Sequence, residues 1–320
     1  MPIRSISICG EAFLDLHALN NEGAEGNALM TRMVDIVDQN GELHSVNAVS
    51  GDMLKHIQAE HLYHYSLENH LPLCNACQKF DANRICADEE FTKNPAFGKE
   101  TPDSTILGAA LQKCTLDDIE GILITSDIGK ARSIARKSCV EFGWAVGIPD
   151  KTRTESYFHV KYVPEGRGKG SGAGENLGQN IFHRPASSGV YAIVVNMDPL
   201  RVSRNDVSLE YTNDAAGRSQ RIKGLIVSVM NTFIKLNGAH RNTQLPHLVD
   251  FRGAIVTSTS SLPAPSLSAL NGDYRKQLVT TCEHLNRLGT SPALAVTTFD
   301  NLSDFTGQMV DLAARNDLAE

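Results

Sequence analysis

ISICGEAFLDLHALNNEGAEGNALMTR (6–32) joins two patterns that cannot belong to one element. Over 6–16 the residues alternate. Ile6, Ile8, Ala12, Leu14 and Leu16 fall on one side and Ser7, Cys9, Glu11 and Asp15 on the other, the period of a half-buried strand. Gly10 within this run predicts a bulge or a close backbone approach. From Asn20 to Asn27 the chain then turns to Asn, Gly, Glu and Ala. Such a loop can be a tight connection using positive φ values, or it can set backbone N–H groups and side-chain amides around a ligand.

Working outward, VDIVDQNGELHSV (34–46) predicts a short hairpin around Asn40-Gly41, a pair suited to a tight turn. Ser50 can cap a helix whose apolar stripe is Met53, Leu54, Ile57 and Leu62, ending near Tyr65, with Lys55 and His56 off the stripe. Residues 70–120 have weak periodicity, many acids and a group of cysteines, and read as an insertion covering one edge of the core. GILITSD (121–127), SCVEFGWAVGIP (138–149), YFHVKYV (157–163) and GVYAIVVNM (189–197) are strand-like. The glycine-rich stretch 164–180 between the last two reads as a hairpin tip. A helix over 217–236, a strand over 247–258 and a helix marked by Tyr274, Leu278, Cys282 and Leu285 follow. ALAVTTF (293–299) then predicts a strand, before a last helix capped by Asp300 or Ser303.

That order predicts an α+β fold: an antiparallel sheet of modified ferredoxin-like type with helices on one face and large insertions. Strands in consecutive runs fit a Rossmann arrangement poorly. Residues 1–69 would form the first part of the main domain, 70–120 the insertion and 121–320 the remainder.

At 320 residues and 41% hydrophobic content the chain can bury a substantial core. Its longest apolar runs, VYAIVVNM (190–197) and GLIVSVM (224–230), fall short of the roughly 20 residues of a membrane span. With no basic-then-apolar start, a cytoplasmic location is expected. Seven cysteines, an odd number, favour thiols that are reduced, buried or metal-bound. The net charge of −7 argues against a generic nucleic-acid coat, yet it is unevenly spread. Residues 130–170 carry nine basic and four acidic residues, and 81–120 four basic and nine acidic. A polyanion-binding face opposite a solvated one is therefore expected.

The basic stretch supplies Lys130, Arg132, Arg136, Lys137, Lys161, Arg167 and Lys169 as candidate phosphate ligands, the last two on the glycine-rich arm. That arm has no P-loop pattern and reads instead as a device that orders around an extended polyanion. Cys74-x-x-Cys77 followed by Cys86 suits tetrahedral zinc, with His70, His64 or Cys114 as the fourth ligand. The competing reading is a set of reduced structural thiols. A second C-x-x-C is missing. His56, His61 and His64 share a helix without the H-E-x-x-H pattern and read as a solvated or polyanion-facing edge. No nucleophile–base pair or carboxylate pair suggests catalysis.

ALNNEGAEGN (18–27) together with VSGDMLKH (49–56) resembles the DevR-type autoregulator family of the RAMP superfamily, the backbone subunit of type I CRISPR Cascade complexes. In that family a strand runs into an LNN-x-G-x-x-GN loop and an SG-x-x-x-KH helix follows. The resemblance implies a modified RRM-like palm, a thumb-like hairpin at about 157–184, and no enzymatic activity. It further implies copies stacked head to tail on a guide RNA (crRNA), other Cascade subunits as partners, target DNA engaged through the guide, and no membrane. No cofactor is required, a structural zinc aside. Carried onto this chain, the motifs mark Asn20, Asn21, Asn27, Lys55 and His56 as RNA contacts, and Arg32, which closes the loop, adds a fork that can grip phosphate.

Two other functions compete. A RAMP-type ribonuclease would need an acid such as Asp15 or Glu22 beside the RNA, and these lack companions. An α/β metabolic enzyme would need a concave site with perturbed acid–base groups.

Overall fold

The computed structural model describes residues 2–20, 24–25, 28–162, 179–240 and 242–319. The chain begins with β1 (Ser5–His17), β2 (Ala24–Glu25), β3 (Ala28–Leu29), β4 (Met33–Val37), β5 (Leu43–Val49) and helix α1 (Gly51–Glu68). Short 3₁₀ turns at Cys77–Lys79 and Arg84–Ala87 lead to α2 (Glu89–Thr92), α3 (Asp103–Lys113) and α4 (Thr115–Glu120). Strands β6 (Ile122–Ile124), β7 (Ile134–Arg136), β8 (Val140–Phe142), β9 (Ala145–Tyr162) and β10 (Gln179–Met197) precede α5 (Ala215–Ile234). The chain closes with β11 (His247–Ser258), α6 (Tyr274–Asn286), β12 (Leu294–Phe299) and α7 (Leu302–Ala313).

The main sheet has the order β12-β11-β1-β10-β9-β5-β4, antiparallel at every step. The α+β class and antiparallel sheet are therefore as the sequence predicts. Helices, however, cover both faces. Ile6, Ile8, Ala12 and Leu14 of β1 join the core beneath α1, α5 and α7, whereas Cys9 joins a second core with Tyr274, Leu278 and Cys282 of α6. β1 is consequently buried on both sides through its middle, not half-buried: even Ser7 has no exposed surface. Alternation fails at its end too, because the register slips between Leu14 and His17 and Leu16, with φ of 53°, turns outward.

Close strand contact explains Gly10. It pairs with Gly253 of β11, and a Cβ on Gly10 would meet the Phe251 ring and the Arg252 carbonyl at 2.9 Å. Phe233, Phe251, Phe299 and Phe305 fill the space between β11, β12, α5 and α7. Phe233 stacks on Phe251 at 4.6 Å and Phe305 stands edge-on to Phe251. Each such buried ring contributes about 1.5–3 kcal/mol from area alone. The last helix is capped by Asn301, which accepts from the Asp304 N–H, rather than by Asp300 or Ser303. Asn40-Gly41 turns the β4–β5 hairpin as expected, with Gly41 at φ 83°.

The 70–120 segment is helical, and Ile85, Ile106, Leu107, Leu111 and Ile119 bury into the same core as α1 and α5. Among the described residues no helix is long and apolar enough to cross a membrane.

Candidate functional site

Asn20 and Ser50 explain why the loop and helix motifs occur together. Asn20 Nδ2 donates to the Ala48 carbonyl at 2.7 Å, and its Oδ1 accepts from the Ser50 N–H at 3.1 Å. Ser50 in turn caps α1 through the Met53 N–H. Next to it, Gly51 leaves room for the Phe142 carbonyl, which a Cβ would meet at 2.4 Å. Asn20 is thus buried in the scaffold, where its amide oxygen and one amide hydrogen are taken by backbone.

Lys55 is likewise turned inward. Its ammonium donates to the Glu120 carbonyl at 2.9 Å, at the C-terminal end of α4, and burial pulls its pKa below the ordinary value. His56 is exposed and lies 5.7 Å, ring to ring, from Phe80. His61 bonds the Lys235 carbonyl.

Arg32 is held from beneath. Asn47 is buried, accepts from the Tyr191 hydroxyl at 2.8 Å, and donates to Thr31 Oγ1 and the Arg32 carbonyl at 3.0 Å. The Arg32 guanidinium then lies 5.3 Å from the centre of the Trp144 ring, which is 45% exposed. A guanidinium shelved on an exposed indole can take a phosphate in its fork, and the indole can take a base. His17 sits below this region edge-on to Tyr191, with neither ring nitrogen bonded; burial lowers its pKa to about 4.

The basic stretch does not form one face. Arg132 is buried against Asp103, the Ile128 carbonyl and the Gly98 carbonyl. Arg136 has no exposed side-chain surface and bonds Asp118, Asp206 and the carbonyls of Arg201 and Arg204. Two cations of the basic stretch thus pair with acids of the 81–120 segment inside the protein, and both arginine side chains are turned away from the surface. Lys130 and Lys137 remain exposed. Asn21, Asn27, Arg167 and Lys169, with the Lys161 side chain, lie outside the described residues.

Beyond Ser187, which pairs with His17 at the end of β1, β10 pairs with β9 as a two-stranded ribbon, apart from one bridge between His183 and Ala28. Phe158 is 70% exposed and Tyr157 46%, opposite His183 and Arg184 respectively. Those aromatics are not among the candidates that the sequence motifs mark, although adjacent Tyr157-Phe158 in a strand puts a ring on each face whatever the register.

The cysteines also sort differently. Cys74, Cys77 and Cys114 are buried together with Asp117, their ligand atoms all within 4.8 Å of one another. Cys86 lies outside this group, its thiol directed at the Leu123 carbonyl. His64 and His70 lie outside it as well. Burial pushes the Cys114 thiol up, and hydrogen bonds from Cys114 and Cys77 hold Cys74 down. Burial raises Asp117 to about 7.

Residues 8–279 match the family described as CRISPR-associated negative auto-regulator DevR/Csa2. No curated protein sequence matches. A chain of a "CRISPR RNA-guided surveillance complex, pre-nicking" is 11% identical and superposes with a TM-score of 0.51 over 96% of this chain and 99% of that one. Thermofilum pendens Csc2 is 14% identical, with a TM-score of 0.43 over 98% of this chain and 83% of its own. The fold is that of the surveillance-complex chain, and the protein belongs to the CRISPR-associated DevR/Csa2 family.

Proposed function

We propose that this protein is a guide-RNA-binding backbone subunit of a type I CRISPR effector complex. Copies would polymerise head to tail along crRNA, contact other subunits of the complex, and present the guide for pairing with target DNA. The observation that carries this reading is the family match across residues 8–279. A chain of similar fold belongs to an RNA-guided surveillance complex, and this supports the same assignment.

The outward residues suit sequence-independent binding. Arg32 on Trp144, with exposed Lys130 and Lys137, can hold phosphates, and Tyr157 and Phe158 offer faces that stack on any base. Base recognition then belongs to guide–target pairing, and the subunit carries out no chemical step. The β9–β10 ribbon, with the stretch at about 157–184, serves as the thumb that reaches a neighbouring copy.

Titration of the purified protein with two unrelated guide-length RNAs and with duplex DNA, followed by anisotropy and by bound stoichiometry, tests this. Equal, salt-sensitive binding of both RNAs with several copies on each is expected. A folded protein that binds neither RNA at low salt, alone or with its partner subunits, would overturn the proposal.

A further inference from the structure

Asp117 and Asp118 are neighbours on α4, both with no exposed surface, and they are treated differently. Asp118 has two cations, Arg136 at 2.8 Å and Arg221 at 2.7 Å, and also accepts from the N–H and hydroxyl of Ser203. Asp117 makes no ion pair among the described residues. Arg84, the nearest positive influence, sends its guanidinium to the Gly121 carbonyl instead. What surrounds Asp117 is sulfur: Cys74 Sγ at 3.6 Å and Cys77 Sγ at 3.7 Å from its Oδ2, with Cys114 in the same group. A buried carboxylate among three thiols lacks the positive charge that its neighbour has twice over.

We propose that Cys74, Cys77, Cys114 and Asp117 bind one structural zinc ion in a closed tetrahedral site. Zinc–sulfur bonds of about 2.3 Å place the corners of a regular tetrahedron about 3.8 Å apart, close to the two sulfur–oxygen separations found. Three soft ligands and one carboxylate select zinc over calcium or magnesium, which require oxygen. Each cysteine enters as a thiolate, its proton released to solvent, and the ion supplies the charge Asp117 lacks. Surrounding donors are in place: the Cys77 N–H points at Cys74 Sγ at 3.4 Å and the Ile85 N–H at Asp117 Oδ1 at 3.3 Å.

The sequence carries this ligand set as two pairs of equal spacing, Cys74-x-x-Cys77 and Cys114-x-x-Asp117, the second ending in a carboxylate. Cys114 is the junction of α3 and α4. The ion would therefore fasten the start of the 70–120 segment to its end and fix α4, on which Asp118 meets Arg136 and Arg221.

Metal analysis of the full-length protein and its variants tests this. Wild type and Cys86→Ser should each carry about one zinc per chain, and Cys114→Ser and Asp117→Asn should lose it. If Cys114→Ser fails to fold, X-ray absorption on the wild type decides. Three sulfurs near 2.3 Å with one oxygen near 2.0–2.2 Å support the site, and four sulfurs overturn it. Folded wild type that neither contains zinc nor takes it up would also overturn it, as would Cys86→Ser losing the ion while Cys114→Ser keeps it.

Discussion

Arg136 and Arg32 are both read from the sequence as candidate phosphate ligands, and the fold places them in opposite ways. Arg136 is enclosed on β7 and spends its donors on Asp118, Asp206 and backbone carbonyls. Arg32, at the mouth of β4, keeps its guanidinium over Trp144 at the surface. Arg136 holds the helical segment onto the palm, and Arg32 is the cation that the proposed guide-binding role assigns to phosphate. The difference lies in what is opposite each. Arg136 faces the buried carboxylate of α4, whereas Arg32 lies over the Trp144 indole.

Breaking the inward set should have the largest effect. Asp118→Ala leaves Arg136 and Arg221 buried without their shared partner, and a loss of about 3–5 kcal/mol of stability is expected, read from the urea midpoint. RNA affinity of the remaining folded protein should not change. Weaker RNA binding with stability intact would show that the arginines of this cluster reach the guide.

His17 marks a third condition, a buried titratable group with no partner. Its folded pKa, about 4, lies below the ordinary 6.5, so between these values the unfolded chain binds the proton and the folded one does not. Its contribution is complete above pH 6.5 and falls away as pH drops toward 4, by about 3 kcal/mol in all. Urea midpoints for wild type and His17→Phe should diverge from each other across this window. Parallel curves would contradict the buried, neutral imidazole.

On the outward side, Phe158→Ala should weaken binding of single-stranded RNA by about 1–3 kcal/mol if a base stacks there. Thermal stability should barely move, because the ring is mostly exposed. A large fall in melting temperature with unchanged RNA affinity would make Phe158 a packing residue.

Strong local rules make much of the fold legible. Ser50 as a helix cap, Asn40-Gly41 as a turn and the 3.6-residue periodicity of α5 each act within a few residues. β1 reads as half-buried because alternation cannot show that Ser7 bonds Ser266 and Cys9 packs with α6, more than 250 positions away in the chain. Charge counted by segment misleads for a related reason. Arg132 and Asp103, or Arg136 and Asp118, have opposite signs in separate stretches, and only the fold shows that they cancel. At the site, Lys55 and Asn20 carry the motifs inward, where the sequence reads them as facing a ligand. Asp117 is hidden because a carboxylate at the last position of a C-x-x-C spacing does not read as a cysteine pair.

The most direct test of an outward-facing guide surface is the salt dependence of RNA binding for wild type, Arg32→Ala and Lys55→Met. For single strands the slope of log affinity against log salt changes by about 0.7 for each phosphate that the protein ceases to neutralise. The expected result is a slope shallower by that amount for Arg32→Ala and an unchanged slope for Lys55→Met. Equal slopes for wild type and Arg32→Ala, or a shallower one for Lys55→Met alone, would contradict it.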